Sequence, residues 1–457
     1  MSKSFRYGFI GCGMMGQEHL RNLAMIKDTE VTIIYDPDEG MRSASSRLVP
    51  QARFVETEEE VIRAEDVDAL VLTSPNYLHT RQLERISEIR PMPVLVEKPI
   101  CTSLEQIQTQ QKLDKHYPAP IWVAMEYRYM PPIARLIEEV HSGKTLGKIT
   151  SLSIREHRYP FLKKVDNWNR FNENTGGTLV EKCCHFFDLM CFILQSKPKR
   201  IYCSGAQDVN HIDETYNGRV PDILDNAFVV VDFTSEQRAM LELNMFADGS
   251  WFQESIVVVG SKAKVECQIT GPTRFWPKNS LGEPPVPILT LSPRNPKGPK
   301  TLEIPVDPKL LEAGDHNGST FYQHERFARV LRGEQIVEVT LQDGINAVLM
   351  GLAAQHSIEI GEAIDSGMES TEFSDFNLYI SQSTGSPLGT LSGRPSFPQI
   401  LSLPVRACMK DTSSEISSSV KSIGSISILD LSLSLSKRSS STTKSISSSH
   451  LASGSMT

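Results

Sequence analysis

The amino-acid sequence predicts two folded domains, a doubly wound α/β domain with a parallel sheet and an α+β domain with a mainly antiparallel, open sheet. Short apolar runs alternate with helical segments at the start of the chain, as in a parallel sheet. β-type runs joined at hairpin distances follow, and serine dominates the end of the chain. We therefore divide the chain at 1–125, 126–370 and 371–457.

In the first domain, apolar runs predict buried strands, and segments with helical spacing lie between them. Strands that alternate with helices imply right-handed crossovers and a parallel sheet covered on both faces. The predicted strands are 5–10, 31–36, 67–74, 92–99 and 120–129, and the predicted helices are 19–26, 39–48, 57–64, 78–88 and 104–116.

After residue 128 the pattern changes to a proline-initiated helix and then a series of β-type runs. Two helical regions, about 178–195 and the late pair 319–332 and 341–364, interrupt or close this domain. The segment 271–300 is rich in Pro, Gly and Asn and is expected to be a surface excursion. The predicted strands are 148–159, 199–209, 226–233, 239–246, 254–261 and 263–270.

The serine-rich end, about 380–457, has too few large apolar residues to offset the entropy of ordering, so we expect it to be disordered. Two interpretations stay open for it: a lineage-specific or artefactual extension, and a phosphorylatable regulatory tail.

Composition excludes several classes of protein. The formal net charge of −8 argues against a nucleic-acid or anionic-membrane partner, whose electrostatic footprint is basic. The sequence has no apolar stretch long enough to predict a transmembrane helix. Its first residues lead directly into a predicted strand and lack the pattern of a signal peptide. The 8 unevenly spaced cysteines do not suggest a disulfide framework. We expect a soluble, cytoplasmic protein.

The stretch GCGMMG has the G-x-G-x-x-G spacing of a dinucleotide-binding Rossmann domain, and it lies between a predicted strand and a helix. Gly11 would make the tight turn, Gly13 would let the backbone approach a pyrophosphate, and Gly16 would let the helix pack against the strand. The free N–H groups of the helix would face the phosphates. The predicted phosphate-binding residues are Gly11, Cys12, Gly13, Met14, Met15 and Gly16.

Asp36 ends the second predicted strand, where a carboxylate hydrogen-bonds the ribose hydroxyls of the cofactor. Asp38 and Glu39 follow it closely, and a 2′-phosphate would meet all three carboxylates. The sequence therefore favours NAD over NADP. Arg42 and Arg47 are the nearest bases and keep NADP possible.

Five motifs in this order resemble the glucose–fructose oxidoreductase/inositol dehydrogenase (Gfo/Idh/MocA) family, and the resemblance covers about 1–365. The most specific motif is E-K-P after a predicted strand. The motifs are GCGMMG (11–16), SPNYLHTRQL (74–83), EKPI (97–100), YRYMPPIARL (127–136) and GGTLVEKCCHFFD (176–188).

Lys98 of the E-K-P motif lies at the carboxyl end of a predicted parallel strand, where open α/β sheets bind ligands. An ammonium there can hydrogen-bond a substrate oxygen beside the nicotinamide and stabilise its developing charge. A cis Lys98–Pro99 peptide would aim this side chain at the cleft. A surface lysine is the alternative. The resemblance implies that Lys98 is catalytic and contacts the cofactor, and it places Ser74, Asn76, His79 and Glu97 near the cofactor.

The stretch TLVEKCCHFFD predicts one helix with Glu181, His185 and Asp188 on one face. A metal site is disfavoured, because Cys183 and Cys184 would point about 100° apart and no second ligand cluster exists. A cysteine nucleophile is a weaker alternative, since cysteines on such a helix are more often buried.

Acid–base chemistry is the favoured function of this helix. His185 can take a hydroxyl proton as hydride leaves the carbon, and a histidine packed in the core is the competing interpretation. The family usually has an aspartate where Glu181 stands, so the role of Glu181 is left open: it could orient His185, bind a sugar hydroxyl or pair with Lys182.

The resemblance also places a substrate pocket around Tyr127, Arg128 and the stretch 166–170, whose chemistry suits a polyhydroxylated ring. The predicted substrate-binding residues are Arg128, Trp168 and Asn169, and His316 is a further candidate with a polar loop as the alternative.

Together these features predict an NAD(P)-dependent oxidoreductase that transfers hydride at a hydroxyl carbon of a cyclic polyol, sugar or sugar derivative. A non-catalytic dinucleotide sensor and an NAD-dependent glycosidase are the alternatives. By analogy with the family, we expect a homodimer or homotetramer.

Overall fold

A computed structural model gives the structure of residues 4–366. The first part of the chain forms a six-stranded sheet in which every neighbouring pair is parallel. The strand order β3-β2-β1-β4-β5-β6 is that of a Rossmann domain, with the switch point between β1 and β4. The strands are β1 (Phe5–Ile10), β2 (Thr29–Tyr35), β3 (Arg53–Val55), β4 (Ala69–Leu72), β5 (Val94–Val96) and β6 (Ile121–Val123).

A helix connects each pair of successive strands. The side chains of Asp38, Thr57 and Ser103 accept hydrogen bonds from backbone N–H groups three residues later, which fixes where α2, α3 and α5 begin. Strands β4 and β5 are buried along their whole length, as expected for a sheet with helices on both faces. The helices are α1 (Met14–Leu23), α2 (Glu39–Ser46), α3 (Glu58–Arg63), α4 (His79–Ile89) and α5 (Leu104–His116).

The doubly wound fold is confirmed, but several elements differ from their predicted bounds; the first helix, for example, begins at Met14 rather than at residue 19. The edge strand Arg53–Val55 was not predicted, because three residues carry no periodic pattern. The strand predicted over 120–129 stops at Val123, and a 3-10 turn, Glu126–Tyr129, follows. The turn is buried like the strand, so the apolar pattern in the sequence continues past the end of the strand.

The second part of the chain forms a nine-stranded sheet in the order β14-β13-β12-β11-β7-β10-β9-β8-β15. Only β7 and β10 pair in parallel in it, so the prediction of a mainly antiparallel sheet is confirmed. The strands are β7 (Ile149–His157), β8 (Pro198–Ala206), β9 (Asn226–Phe233), β10 (Arg238–Asn244), β11 (Glu254–Gly260), β12 (Ala263–Ile269), β13 (Ile288–Pro293), β14 (Lys300–Glu303) and β15 (Ile364–Asp365).

Three short strands of this sheet were not predicted. The surface excursion expected over 271–300 contains β13, which extends the sheet beside β12, and β14 then pairs with β13. The helix predicted over 341–364 ends at Ile360, because Gly361 takes a left-handed conformation, and β15 then pairs with β8.

Helices of the second part lie against both sheets. α13 packs on β8 and α9 and also on α5 and β6, while α12 packs on α1. α9 also packs on the turn Glu126–Tyr129 that follows β6, which places it beside the carboxyl ends of the parallel strands. The helices are α6 (Pro131–His141), α7 (Asn172–Thr175), α8 (Thr178–Glu181), α9 (Cys184–Leu194), α10 (Lys278–Leu281), α11 (Pro308–Ala313), α12 (Ser319–Leu331) and α13 (Leu341–Ile360).

The tail predicted to be disordered, 371–457, lies outside the described residues. Within residues 4–366, no helix combines the length and the hydropathy needed to cross a bilayer. The seven cysteines in this part of the chain are free thiols, and six of them are buried.

Candidate active site

The glycine loop joins β1 to α1, and each glycine has a structural reason. Gly11 has a φ of +92°, and a Cβ there would lie 2.7 Å from the backbone nitrogen of Ser74. A Cβ on Gly16 would lie 2.9 Å from the hydroxyl of Thr73, so this glycine lets α1 pack against the end of β4. Gly13 has nothing within 4 Å, so its backbone is open to a phosphate.

Asp36 holds the glycine loop in place. Its Oδ2 accepts from the backbone N–H of Cys12 at 2.6 Å, and its Oδ1 accepts from the N–H of Asp38 at 2.9 Å. Nη1 of Arg42 donates to the carbonyls of Asp36 and Pro37, at 2.8 and 3.3 Å. The carboxylate therefore lies against the glycine loop, and Arg42 is engaged by the backbone.

A cleft of about 500 Å³ runs from this loop along the carboxyl ends of the strands. Cys12, Gly16 and His79 lie behind its wall. Of the residues predicted to bind the cofactor, those that line the cleft are Gly11, Gly13, Met14, Met15, Asp36, Ser74, Asn76, Glu97 and Lys98.

His79 is fully buried and ties two cleft segments together. Its Nδ1 lies 2.8 Å from the carbonyl oxygen of Pro99, and its Nε2 lies 3.0 Å from that of Ser74. Burial is the main cause that lowers its pKa below the usual value. His79 therefore connects the end of β4 to the Lys98–Pro99 segment, whose peptide bond is cis.

Lys98 follows β5 and meets the second part of the chain inside the cleft. Its Nζ donates to the carbonyl oxygen of Glu181 at 3.2 Å. Burial would lower the pKa of Lys98, but nearby groups, among them the carboxylates of Glu97 and Glu126, hold it above its usual value. The side chain therefore carries a positive charge at neutral pH.

The single helix predicted over 178–195 is broken, which is a correction to the sequence analysis. α8 ends at Glu181, and α9 begins at Cys184. At the break the N–H of Cys183 bonds the carbonyl of Thr178, five residues back, at 3.3 Å. Glu181 and His185 therefore do not share one continuous helical face.

The break separates the two predicted catalytic side chains. Glu181 lines the cleft, and its Oε1 lies 3.5 Å from Nζ of Lys164. His185 is only 1% exposed and lies behind the cleft wall, stacked on Tyr127 with ring centroids 4.1 Å apart. Burial, reinforced by Lys98 and other cations, lowers the pKa of His185 well below its usual value.

A chain of titratable groups leads away from His185. Its Nε2 lies 3.8 Å from Oε1 of Glu126, and the same oxygen lies 4.0 Å from Nε2 of His316. Nδ1 of His316 lies 2.8 Å from Oε1 of Glu18. Burial raises the pKa of Glu126 to about 7. Both its oxygens are buried and have no hydrogen-bond partner among residues 4–366.

Arg128, predicted to bind substrate, is buried elsewhere. Its guanidinium makes a bidentate ion pair with the carboxylate of Asp188, and its Nη1 donates to the carbonyl of Glu338 at 3.0 Å. It also stacks over the ring of Phe192. The structure therefore gives Arg128 a packing role, and Asp188 is its partner rather than a third member of an acid–base face.

The other two predicted substrate residues differ in position. Trp168 lines the cleft, with Nζ of Lys164 4.6 Å from its ring centroid and Tyr77 at its edge. Asn169 is buried, and its amide donates to the carbonyl of Leu162 at 2.9 Å, which holds the loop.

Sequence reasoning missed Glu126 and Lys164. Glu126 could have been found from its position directly after the last parallel strand, where ligands bind in such sheets. Lys164 stands in a loop without a motif, so nothing local marks it. Among residues 4–366, no group of three or more His, Cys, Asp and Glu side chains could hold a metal ion.

Comparisons with known proteins agree with this geometry. The Gfo/Idh/MocA oxidoreductase profiles match this chain twice, the NAD-binding Rossmann fold over residues 5–125 and the C-terminal alpha/beta domain over residues 138–365.

Similar proteins include a myo-inositol 2-dehydrogenase of Thermotoga maritima, which is 24% identical over 355 residues, 78% of this chain and 96% of the relative. A 2,7-anhydro-N-acetylneuraminate hydratase of Escherichia coli is 22% identical over 260 residues, 57% of this chain and 66% of the relative. A solved levoglucosan dehydrogenase, in complex with NADH and levoglucosan, has a TM-score of 0.64 and 16% identity, over 79% of this chain and 99% of that one. The last likeness shows the fold alone.

Proposed function

Because this chain belongs to the Gfo/Idh/MocA oxidoreductase family, whose first domain is an NAD-binding Rossmann fold, we propose that it transfers hydride between NAD and a hydroxyl-bearing carbon of a cyclic polyol, sugar or sugar derivative. One observation carries the proposal. In the cleft that begins at the glycine loop, the ammonium of Lys98 from the first part of the chain donates to the carbonyl oxygen of Glu181 from the second part. A relative named for myo-inositol supports the substrate class.

The charges of the site suit proton removal from an alcohol. Bound NAD supplies the hydride acceptor. Lys98 stays protonated, so it can hydrogen-bond the substrate oxygen and stabilise negative charge there. His185 is held neutral behind the cleft wall, and we propose that it takes the hydroxyl proton of a substrate that reaches past this wall. Glu126 and His316 then lead from this buried imidazole towards solvent, since the side chain of His316 is 20% exposed.

We further propose that NAD is used in preference to NADP. Asp36 would oppose a 2′-phosphate, and Arg42 is occupied by backbone carbonyls. Measuring the affinity for both dinucleotides tests this, and equal or tighter binding of NADP would reject it.

The main test measures NADH formed from a panel of inositols and pyranoses. Lys98→Ala should lose on the order of 100- to 1,000-fold in kcat, as when one transition-state donor is removed. The control is Lys112→Ala, because Lys112 is exposed on α5. Turnover of Lys98→Ala as fast as that of the control would reject the role of Lys98.

A second candidate is chemistry without net redox change, because one relative is a hydratase by name. It includes the NAD-dependent glycosidase predicted above. Conversion of a sugar or glycoside without accumulation of NADH would mark this case. Binding of NAD without turnover of any sugar would instead favour a sensor.

We also propose a homodimer or homotetramer formed through the outer face of the second sheet. That face exposes large apolar side chains on three adjacent strands, β8, β9 and β10, which is a common sign of an interface. Sizing chromatography tests this, and a monomer would reject it. The side chains are Tyr202, Phe228, Val230 and Met240.

The free thiols are consistent with our proposal of a cytoplasmic location.

A further inference from the structure

A second cavity, of about 710 Å³, lies in the second part of the chain at one end of its sheet. The loop after β7 forms one side, and the segments after β8, β10 and β12 form the others. Its size is within the range of about 300–1,000 Å³ that ligand pockets have. The aromatic residues that line it are Tyr159, Phe161, Trp251, Phe275 and Trp276.

The aromatic rings at this cavity are unusually exposed. Trp251 is 58% exposed and Phe275 is 43% exposed. The rings of Trp251 and Trp276 are tilted together with centroids 5.4 Å apart, and Tyr159 lies 4.5 Å from Phe275. Exposed apolar surface gathered at a concave site marks ligand binding more often than chance.

The cavity also has a polar side with an unused donor. Arg170 lines it and is 1% exposed. Its Nε donates to Glu214 at 3.0 Å, but its Nη1 is buried without a hydrogen-bond partner among residues 4–366. A buried donor left unpaired is destabilising, so a ligand that accepted a hydrogen bond from it would remove this cost. His211 and Asp248 also line the cavity.

The cavity adjoins the cofactor cleft, because Lys163 lines both of them. The next residue, Lys164, faces Glu181 and Trp168 within the cleft. A molecule that reached from the cleft past Lys163 would therefore place its far end against the aromatic rings.

We propose that this cavity binds the second ring of a glycoside whose first ring reacts in the cleft, so that the substrates are disaccharides or aryl glycosides rather than free monocyclic polyols. This inference rests on the proposed function. Tryptophan faces suit the C–H side of a pyranose, and the arginine, histidine and carboxylate suit its hydroxyls. The aromatic wall and the unpaired Arg170 are explained by the same occupant.

The test titrates the NAD-loaded protein with single-ring and two-ring probes and follows tryptophan fluorescence. The probes are glucose, myo-inositol, cellobiose, maltose and p-nitrophenyl glucoside. We expect at least one two-ring probe to bind on the order of tenfold more tightly than either single-ring probe. Trp251→Ala should remove this gain, and Trp251→Phe should retain most of it. Ile336→Ala, which removes an 85% exposed apolar side chain elsewhere, is the control.

The results separate this inference from the proposed function. Equal affinity for all probes, no binding by any, or an unchanged preference in Trp251→Ala would overturn the second-ring site. NADH formation from single-ring sugars would still support the oxidoreductase in that case. Conversely, tight two-ring binding that depends on Trp251, without NADH from any probe, would support the site and reject the proposed reaction.

Discussion

Removing the carboxylate of Glu18 should change how the stability of the protein depends on pH. Oε1 of Glu18 lies 2.8 Å from Nδ1 of His316 and also accepts from the hydroxyl of Thr320 at 2.8 Å. Burial alone would lower the pKa of His316, but the charge of Glu18 outweighs it and raises this pKa to about 9. The perturbation we choose is Glu18→Gln, which keeps the shape of the side chain.

The magnitude follows from the pKa of His316. The folded value of about 9 exceeds the ordinary value of about 6.5 by about 2.5, and each pKa unit is worth about 1.4 kcal/mol. The raised pKa thus contributes about 3.5 kcal/mol. Because the pKa is raised on folding, this contribution is complete below about pH 6.5 and is lost as the pH rises through about 9. Glu18→Gln should therefore destabilise the protein at about pH 6 and have little effect above pH 9.

The assay is urea unfolding of wild type and Glu18→Gln at about pH 6, 7.5 and 9. An NMR titration should also show the pKa of His316 falling towards about 6.5 in the variant. Glu59→Gln is the control, because its carboxylate is 43% exposed and pairs at the surface with Arg63. A free-energy difference between wild type and Glu18→Gln that stays constant from pH 6 to pH 9 would refute the reasoning.

Two further variants test other buried charges. Asp188→Asn should lower the free energy of unfolding by about 3–5 kcal/mol, because the guanidinium of Arg128 loses its buried partner. In urea unfolding, Asp232→Asn in an exposed ion pair should cost under about 1 kcal/mol, and equal losses would contradict the argument. Because the pKa of Glu126 is about 7, kcat should rise as the pH passes 7 and Glu126 becomes able to accept the proton of His185. Glu126→Gln should abolish this rise, because the amide cannot accept a proton. A pH–rate profile equal to that of wild type would reject this.

The glycine loop, the carboxylate after β2 and the lysine after β5 could be predicted because each depends on its immediate neighbours in the chain. Gly11 needs its positive φ wherever a strand turns so tightly into a helix. Lys98 follows a strand whose direction is fixed by the alternation of strands and helices. The parallel pairing of these strands follows from the same alternation and the rules for crossovers.

Tertiary contacts decided the rest. The break at Lys182 is invisible in the sequence, since TLVEKCCHFFD has unbroken helical spacing. At the break, Nζ of Lys182 lies 2.9 Å from the carboxylate of Glu156 and donates to the hydroxyl of Tyr127 at 2.5 Å. Both partners are distant from Lys182 in the sequence. Arg128 looked like a substrate ligand until its partner, 60 residues away along the chain, was known.

The sequence by itself determined which residues can approach a dinucleotide, because backbone conformation and strand ends are local properties. Only the tertiary structure decided that Glu181 faces the cleft while His185 lies behind it against Glu126. The physical reason is that the charge and exposure of a buried group depend on the groups packed around it, and here these come from distant parts of the chain.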